Sequence, residues 1–202
     1  MIKIEIDPKI KIKKLEEIID LPVVITVNEF NEKSALKFRE DFSRAINTGQ
    51  KIIPLVLDTW GGEVYSLMNM MSIIKSSTIP VATIGVSKSM SCGSVLLSCG
   101  AEGHRYCDQF STVMLHDVST GYRGKIEDIK ASAAEGNRLN EFIFKQMAVN
   151  VGKEPEYFLK LIHEAGHADI FWSAEECKKH NLINHIRAPN FKVKLSSEIT
   201  FE

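Results

Sequence analysis

A serine hydroxyl is a weak nucleophile until a base takes its proton and hydrogen-bond donors await the oxyanion, so a serine matters by its position. Ser91 opens the run Ser91-Cys92-Gly93-Ser94-Val95-Leu96-Leu97-Ser98-Cys99-Gly100, directly after a predicted strand. At such a strand-to-helix turn the hydroxyl is exposed, and the positive end of the helix dipole favours negative charge beside it. Alone, Ser91 is explained equally simply as a helix N-cap. Gly61-Gly62 ends another predicted strand ahead of another helix. Glycine there lets the backbone approach a ligand, and one of its amides, with that of Cys92, would make two oxyanion donors. A Gly-Gly pair is also an ordinary turn. His116 closes the apolar strand Thr112-Val113-Met114-Leu115. A neutral imidazole at that edge serves as a general base, and a polar residue at a strand end is the plainer reading.

Other residue types compete for attention. His163-Glu164-Ala165-Gly166-His167 matches H-E-x-x-H, in which two histidines one helical turn apart bind zinc and the glutamate activates water. The pattern needs a continuous helix and a third ligand. Glycine occupies its fourth position, and His180 and Glu175 are only loose candidates for the ligand, so a chance match at a helix C-terminus is expected. Asp117 follows His116 directly, but strand neighbours point to opposite faces, which makes it a poor partner for that imidazole.

The elements that must position these groups are readable from periodicity. Runs 22–27, 52–57 and 81–86 read as buried strands. Ala35, Phe38, Phe42, Ala45 and Ile46 mark one helical face, and Val64, Leu67, Met68, Met71 and Ile74 another. A Ser/Gly-rich turn and an apolar helix to about Gly100 follow the third strand. Tyr106 and the segment 112–116 suggest two more strands. From Lys125 to about Val149 runs a long helical pattern, with Ile126, Ile129, Ala133, Leu139, Phe142, Ile143 and Met147 on its apolar faces, long enough to project from a small domain. Pro155 and the pair Ser173 and Glu176 announce two shorter helices before a last strand. Strand and helix in alternation imply an α/β fold with a mostly parallel sheet.

The chain has 202 residues, with 25 Lys plus Arg against 26 Asp plus Glu, so no net field holds nucleic acid or an acidic membrane surface. One domain over 1–202 is the expectation. The first seven residues alternate apolar and charged types, unlike a signal peptide, and no run of eighteen apolar residues occurs. A cytoplasmic protein is expected. Cys92, Cys99, Cys107 and Cys177 form no C-x-x-C pair and are expected as reduced thiols.

Four segments, taken in order, resemble the proteolytic subunit of Clp protease (ClpP), a serine peptidase family. Leu57-Asp58-Thr59-Trp60-Gly61-Gly62 is similar to its oxyanion strand, and Ser91 to Leu97 to its nucleophile turn. Val113-Met114-Leu115-His116 resembles its histidine strand, and Asp169-Ile170-Phe171-Trp172-Ser173-Ala174-Glu175-Glu176 its acid-bearing segment. The resemblance spans roughly residues 22 to 187. It implies a ClpP/crotonase-type spiral of βαβ units with the segment near 125–150 as a projecting handle. It also implies a serine endopeptidase with Ser91 as nucleophile, His116 as base and Asp169 as orienting carboxylate, the Gly62 and Cys92 amides binding the oxyanion. No cofactor or metal is implied. Unfolded or partner-delivered polypeptide would be the substrate, a homo-oligomeric ring, heptameric or doubly heptameric, the assembly, and an AAA+ unfoldase a partner. Some phage-encoded relatives process capsid proteins instead. The alternatives are an acyl-CoA enzyme of the related crotonase type, a non-catalytic ring or scaffold subunit, and the zinc peptidase of His163, Glu164 and His167.

The sequence departs from the family pattern in four places. Trp60 stands where proline precedes the Gly-Gly pair. Gly85 lies four residues before Ser89, the family's usual spacing, which makes Ser89 the alternative nucleophile and Lys88 its alternative base. The start of the downstream helix selects Ser91. Asn181 replaces the glycine usual before Leu182-Ile183, and residues 2–19 do not resemble the family's axial loop.

Overall fold

Seven strands and six helices lie along residues 21–191, the part of the chain that the computed structural model describes, alternating except where β4 runs into β5 and α4 into α5. The N-terminal alternating segment and residues 192–202 lie outside it. β1 (Ile25–Val27), β2 (Ile53–Thr59) and β3 (Val81–Met90) pair in parallel. α1 (Glu32–Asn47) and α2 (Val64–Lys75) make the connections. β2 and the first half of β3 are buried nearly continuously, as in the middle of a parallel sheet, whereas edge strand β1 buries Ile25 and Val27 and exposes Thr26. Asn31 starts α1 with a capping box, its side chain accepting from the Ser34 amide at 2.8 Å while the Ser34 hydroxyl accepts from the Asn31 amide at 2.9 Å. Ala35, Phe38, Phe42 and Ala45 are buried as the spacing predicts, whereas Ile46, one residue further round the helix, is exposed.

The third strand outruns its prediction. Residues 87–90, expected as a Ser/Gly-rich turn, continue β3 to ten residues. The register against β2 jumps from Leu57↔Gly85 to Thr59↔Ser89, and Ser87 absorbs the extra length at φ 60°. The added length forks the sheet. The first half of β3 pairs with β4 (Arg105–Cys107), and β4 pairs with β7 (His185–Ile186). The second half pairs with β5 (Thr112–Leu115), which pairs antiparallel with β6 (Ile170–Trp172). This α/β arrangement fits the ClpP-type fold that the motifs imply.

α3 (Cys92–Ser98) is buried throughout, and Gly93 lets it close on β2: a Cβ there would meet Thr59 Cγ2 at 2.5 Å. α4 (Ile126–Asn150) is the long helix. Ile126, Ile129 and Ala133, expected on an apolar face, are exposed, and burial begins at Leu139, so the first half stands clear of the core. α5 (Tyr157–Glu164) and α6 (Ala174–Lys179) follow, the latter started by the predicted Ser173–Glu176 capping box. Asn181 leaves α6 at φ 61°, the left-handed conformation a glycine would take, and its side-chain Nδ2 donates to Val151 O at 2.6 Å. That is why asparagine can replace glycine here. Among the described residues no helix is long and apolar enough to cross a membrane.

Candidate active site

Four strand termini meet at one edge of the sheet, where parallel strands leave side chains free of the ladder. β2 runs into Gly61-Gly62, β3 into Ser91 and α3, and β5 into His116, while β6 begins just after Asp169.

Ser91 sits at the break between β3 and α3 with φ 54° and ψ −120°. Its amide donates to Met114 O at 2.9 Å, extending the β3–β5 pairing one step past Met90↔Met114. That bond holds the backbone in a conformation that side-chain-bearing residues rarely adopt. Ser91 occupies the N-cap of α3, but its hydroxyl makes no capping bond. It lies against the Gly61 turn instead: a Cβ on Gly61 would fall 3.2 Å from Ser91 Oγ and 2.7 Å from its Cβ. Only glycine fits there.

The Gly-Gly turn is pinned from two sides. Phe30 N donates to Gly61 O at 3.2 Å and Glu63 N to Phe30 O at 2.8 Å. In this bridge geometry the Gly62 amide points away from Phe30. The Gly61 amide is taken by Thr59 Oγ1 at 3.0 Å, which leaves that of Gly62 without an acceptor among the described residues. The Cys92 amide opens α3, where the first N–H groups have no intrahelical acceptor. The Cys92 thiol donates to Gly62 O at 3.2 Å, a tie between the two peptides that the sequence did not announce. Burial pushes that thiol up to about 11, so it stays protonated as a donor. Cys99, Cys107 and Cys177 are likewise free thiols raised by burial.

The segments that carry His116 and Asp169 adjoin through the β5–β6 ladder. The β5–β6 ladder pairs Val113↔Trp172, Met114↔Phe171 and Leu115↔Ile170 and ends there, so that His116 and Asp169 are the residues next beyond its last pair. No hydrogen bond joins Ser91 to His116 or His116 to Asp169 among the described residues. Hydrogen bonds of this kind are often long before substrate binds. Asp117, weighed as a partner for His116, is engaged elsewhere: its carboxylate accepts from Asn140 Nδ2 at 2.6 Å and pairs with His167 Nδ1 at 2.7 Å.

The rival assignments meet geometric obstacles. Ser89 lies inside β3, fully buried, its Oγ without a partner and directed at Gly85. Lys88 is ion-paired with Asp58 at 2.5 Å and lies 5.2 Å from the Trp60 ring centroid, so it is no base for Ser89. The bulge at Ser87 is the reason: it shifts Ser89 into the ladder and delivers Ser91 to the strand end. In the H-E-x-x-H segment, α5 ends at Glu164, and Gly166 and His167 take φ 63° and 62°. The two histidines therefore do not project from one helix, and among the described residues no third ligand joins them. His180, a loose candidate, stacks on Trp172.

A cavity of about 40 Å³ opens at this edge, lined by Ser91 and His116 together with Gly62 and Cys92. Its apolar wall is Val64, Val95, Val118, Ile143 and Phe144. The last two belong to the inner half of α4. Sequence periodicity showed Ile143 as an apolar helix position, which does not distinguish a cavity wall from a core. The family model described as Clp protease matches residues 11–190.

Proposed function

Because the chain belongs to the Clp protease family, we propose that it is a serine endopeptidase in which Ser91, His116 and Asp169 act together. The observation that carries this reading is Ser91 held at φ 54° against Gly61, in one cavity with His116. Ser91 Oγ attacks the scissile carbonyl as His116 takes its proton. His116 then gives that proton to the leaving amine, and water hydrolyses the acyl-enzyme by the reverse exchange. Asp169, the residue before Ile170 and so one step beyond the last pair of the β5–β6 ladder, orients the imidazole and stabilises its charged form. The amides of Gly62 and Cys92 hold the oxyanion. The apolar wall takes an uncharged side chain next to the scissile bond, and exposed Trp60, placed beside the turn where the family has proline, forms part of the groove's rim.

The family generally forms oligomeric rings that work with unfoldases. For this chain we propose a ring of copies of one peptidase unit, with exposed Ile126, Ile129 and Phe142 of the projecting helix in the contacts. Polypeptide delivered in unfolded form is its proposed substrate. A fluorophosphonate probe with mass mapping tests the chemistry: the label is expected on Ser91, to vanish in Ser91→Ala and to persist in Ser89→Ala. Labelling that survives Ser91→Ala would refute the assignment. Native mass measurement reads the ring.

A further inference from the structure

The β5–β6 ladder stops at Leu115↔Ile170, one step short of His116 and Asp169. Beyond it the two chains would be free to splay, and Asp169 is exposed. One bond bridges them on the far side: His167 Nδ1 to Asp117 Oδ2 at 2.7 Å. His116 and Asp169 are thus bracketed between a backbone rung and a side-chain rung. The second rung is itself anchored to α4. Asn140 donates to Asp117 Oδ1 at 2.6 Å, and its own Oδ1 accepts from the Val118 amide at 2.9 Å. One asparagine thereby fixes both the carboxylate and the backbone that follows His116. The loop end is set locally as well, since the His167 amide donates to Ile162 O at 2.9 Å.

We propose that Asp117 and His167 are positioning residues, a clamp steadied by Asn140 that holds Asp169 opposite His116. The proposal rests on the reading of Ser91, His116 and Asp169 as the catalytic set. The clamp touches none of the reacting atoms. It narrows the range of positions open to Asp169, and misplacement of a catalytic group by about 1 Å costs up to about 10²-fold in rate. Both side chains are partly exposed, His167 at 60% and Asp117 at 32%. Such a pair adds little stability, so its loss registers in turnover and not in melting.

The test compares His167→Gly, Asp117→Ala and the double variant in steady-state hydrolysis of a fluorogenic peptide. Glycine keeps the positive φ at 167 while removing the imidazole. Each single change is expected to lower kcat about tenfold with KM unchanged. The double variant should be no slower than the slower single, because both changes remove the His167–Asp117 bond and Asp117→Ala alone also removes the bond from Asn140. His167→Asn, whose amide nitrogen occupies the place of Nδ1 and which tolerates the left-handed backbone, should recover part of kcat. Unchanged kcat in His167→Gly, on its exposed loop, overturns the clamp whatever the fate of Asp117→Ala. Additive losses overturn it too. Asp169→Ala separates the two levels: full activity there defeats the catalytic assignment, whereas lost activity with normal His167→Gly defeats the clamp alone.

Discussion

Replacing Gly61 by alanine should disable Ser91 without touching any ionisable group. The added Cβ would lie 2.7 Å from Ser91 Cβ, with Met90 O at 3.1 Å and Ser91 Oγ at 3.2 Å. Two carbons normally keep about 3.5–4.0 Å, so Ser91 or the turn must yield by about 1 Å. The turn cannot retreat easily, because Phe30 N and Thr59 Oγ1 hold it by hydrogen bonds of 3.2 and 3.0 Å. A displacement of about 1 Å at the nucleophile costs about 10²-fold in rate, which is about 2.7 kcal/mol of barrier. Gly61 also has φ 106°, so alanine adds backbone strain of about 1–2 kcal/mol to folding. Gly103→Ala isolates that strain: φ there is 78° and its Cβ would meet nothing within 4 Å. Both variants should melt about 2–8 °C lower. Only Gly61→Ala should lose about 10²-fold in the rate of fluorophosphonate labelling and in kcat. Activity in Gly61→Ala within about threefold of wild type, a barrier change of about 0.65 kcal/mol, would refute the steric account.

Gly93→Ala should cost about 1–3 kcal/mol by overpacking α3 against Thr59, and Thr59→Ser, which removes Cγ2 but keeps the hydroxyl that holds the Gly61 amide, should restore most of the melting temperature. If the double variant melts as low as Gly93→Ala, that contact is not the cause. His180 stacks on Trp172 at 4.2 Å between ring centroids and meets the Tyr157 hydroxyl at 2.8 Å. Burial first, then Lys179 and Lys153, hold its pKa below the ordinary 6.5. The folded state thus disfavours the charged ring, and the stability present above pH 6.5 is lost as pH falls through the lowered value. The melting-temperature advantage of wild type over His180→Phe should accordingly shrink on acidification; a gap independent of pH would contradict this.

Local pattern in the sequence determined much of the architecture. β-branched runs marked the strands, the 3.6-residue period marked α1, α2 and α4, and Ser173 with Glu176 marked the start of α6, because each of these depends on neighbours within a turn or two. The four motif segments carried the family assignment. What local pattern could not decide was which segments meet. The downstream helix already favoured Ser91 over Ser89 in the sequence, but the burial of Ser89 within the ladder depends on the irregularity at Ser87, which appears only when β3 is paired with β2. His163 and His167 read as one helical turn, but α5 ends at Glu164 and the backbone turns left-handed at Gly166 and His167, so the two rings meet edge to face, centroids 5.6 Å apart, without sharing a helix. Asp169 entered the sequence reading through resemblance alone. That its segment adjoins the one ending in His116 comes from the antiparallel pairing of β5 with β6, strands more than fifty residues apart, which no local periodicity encodes.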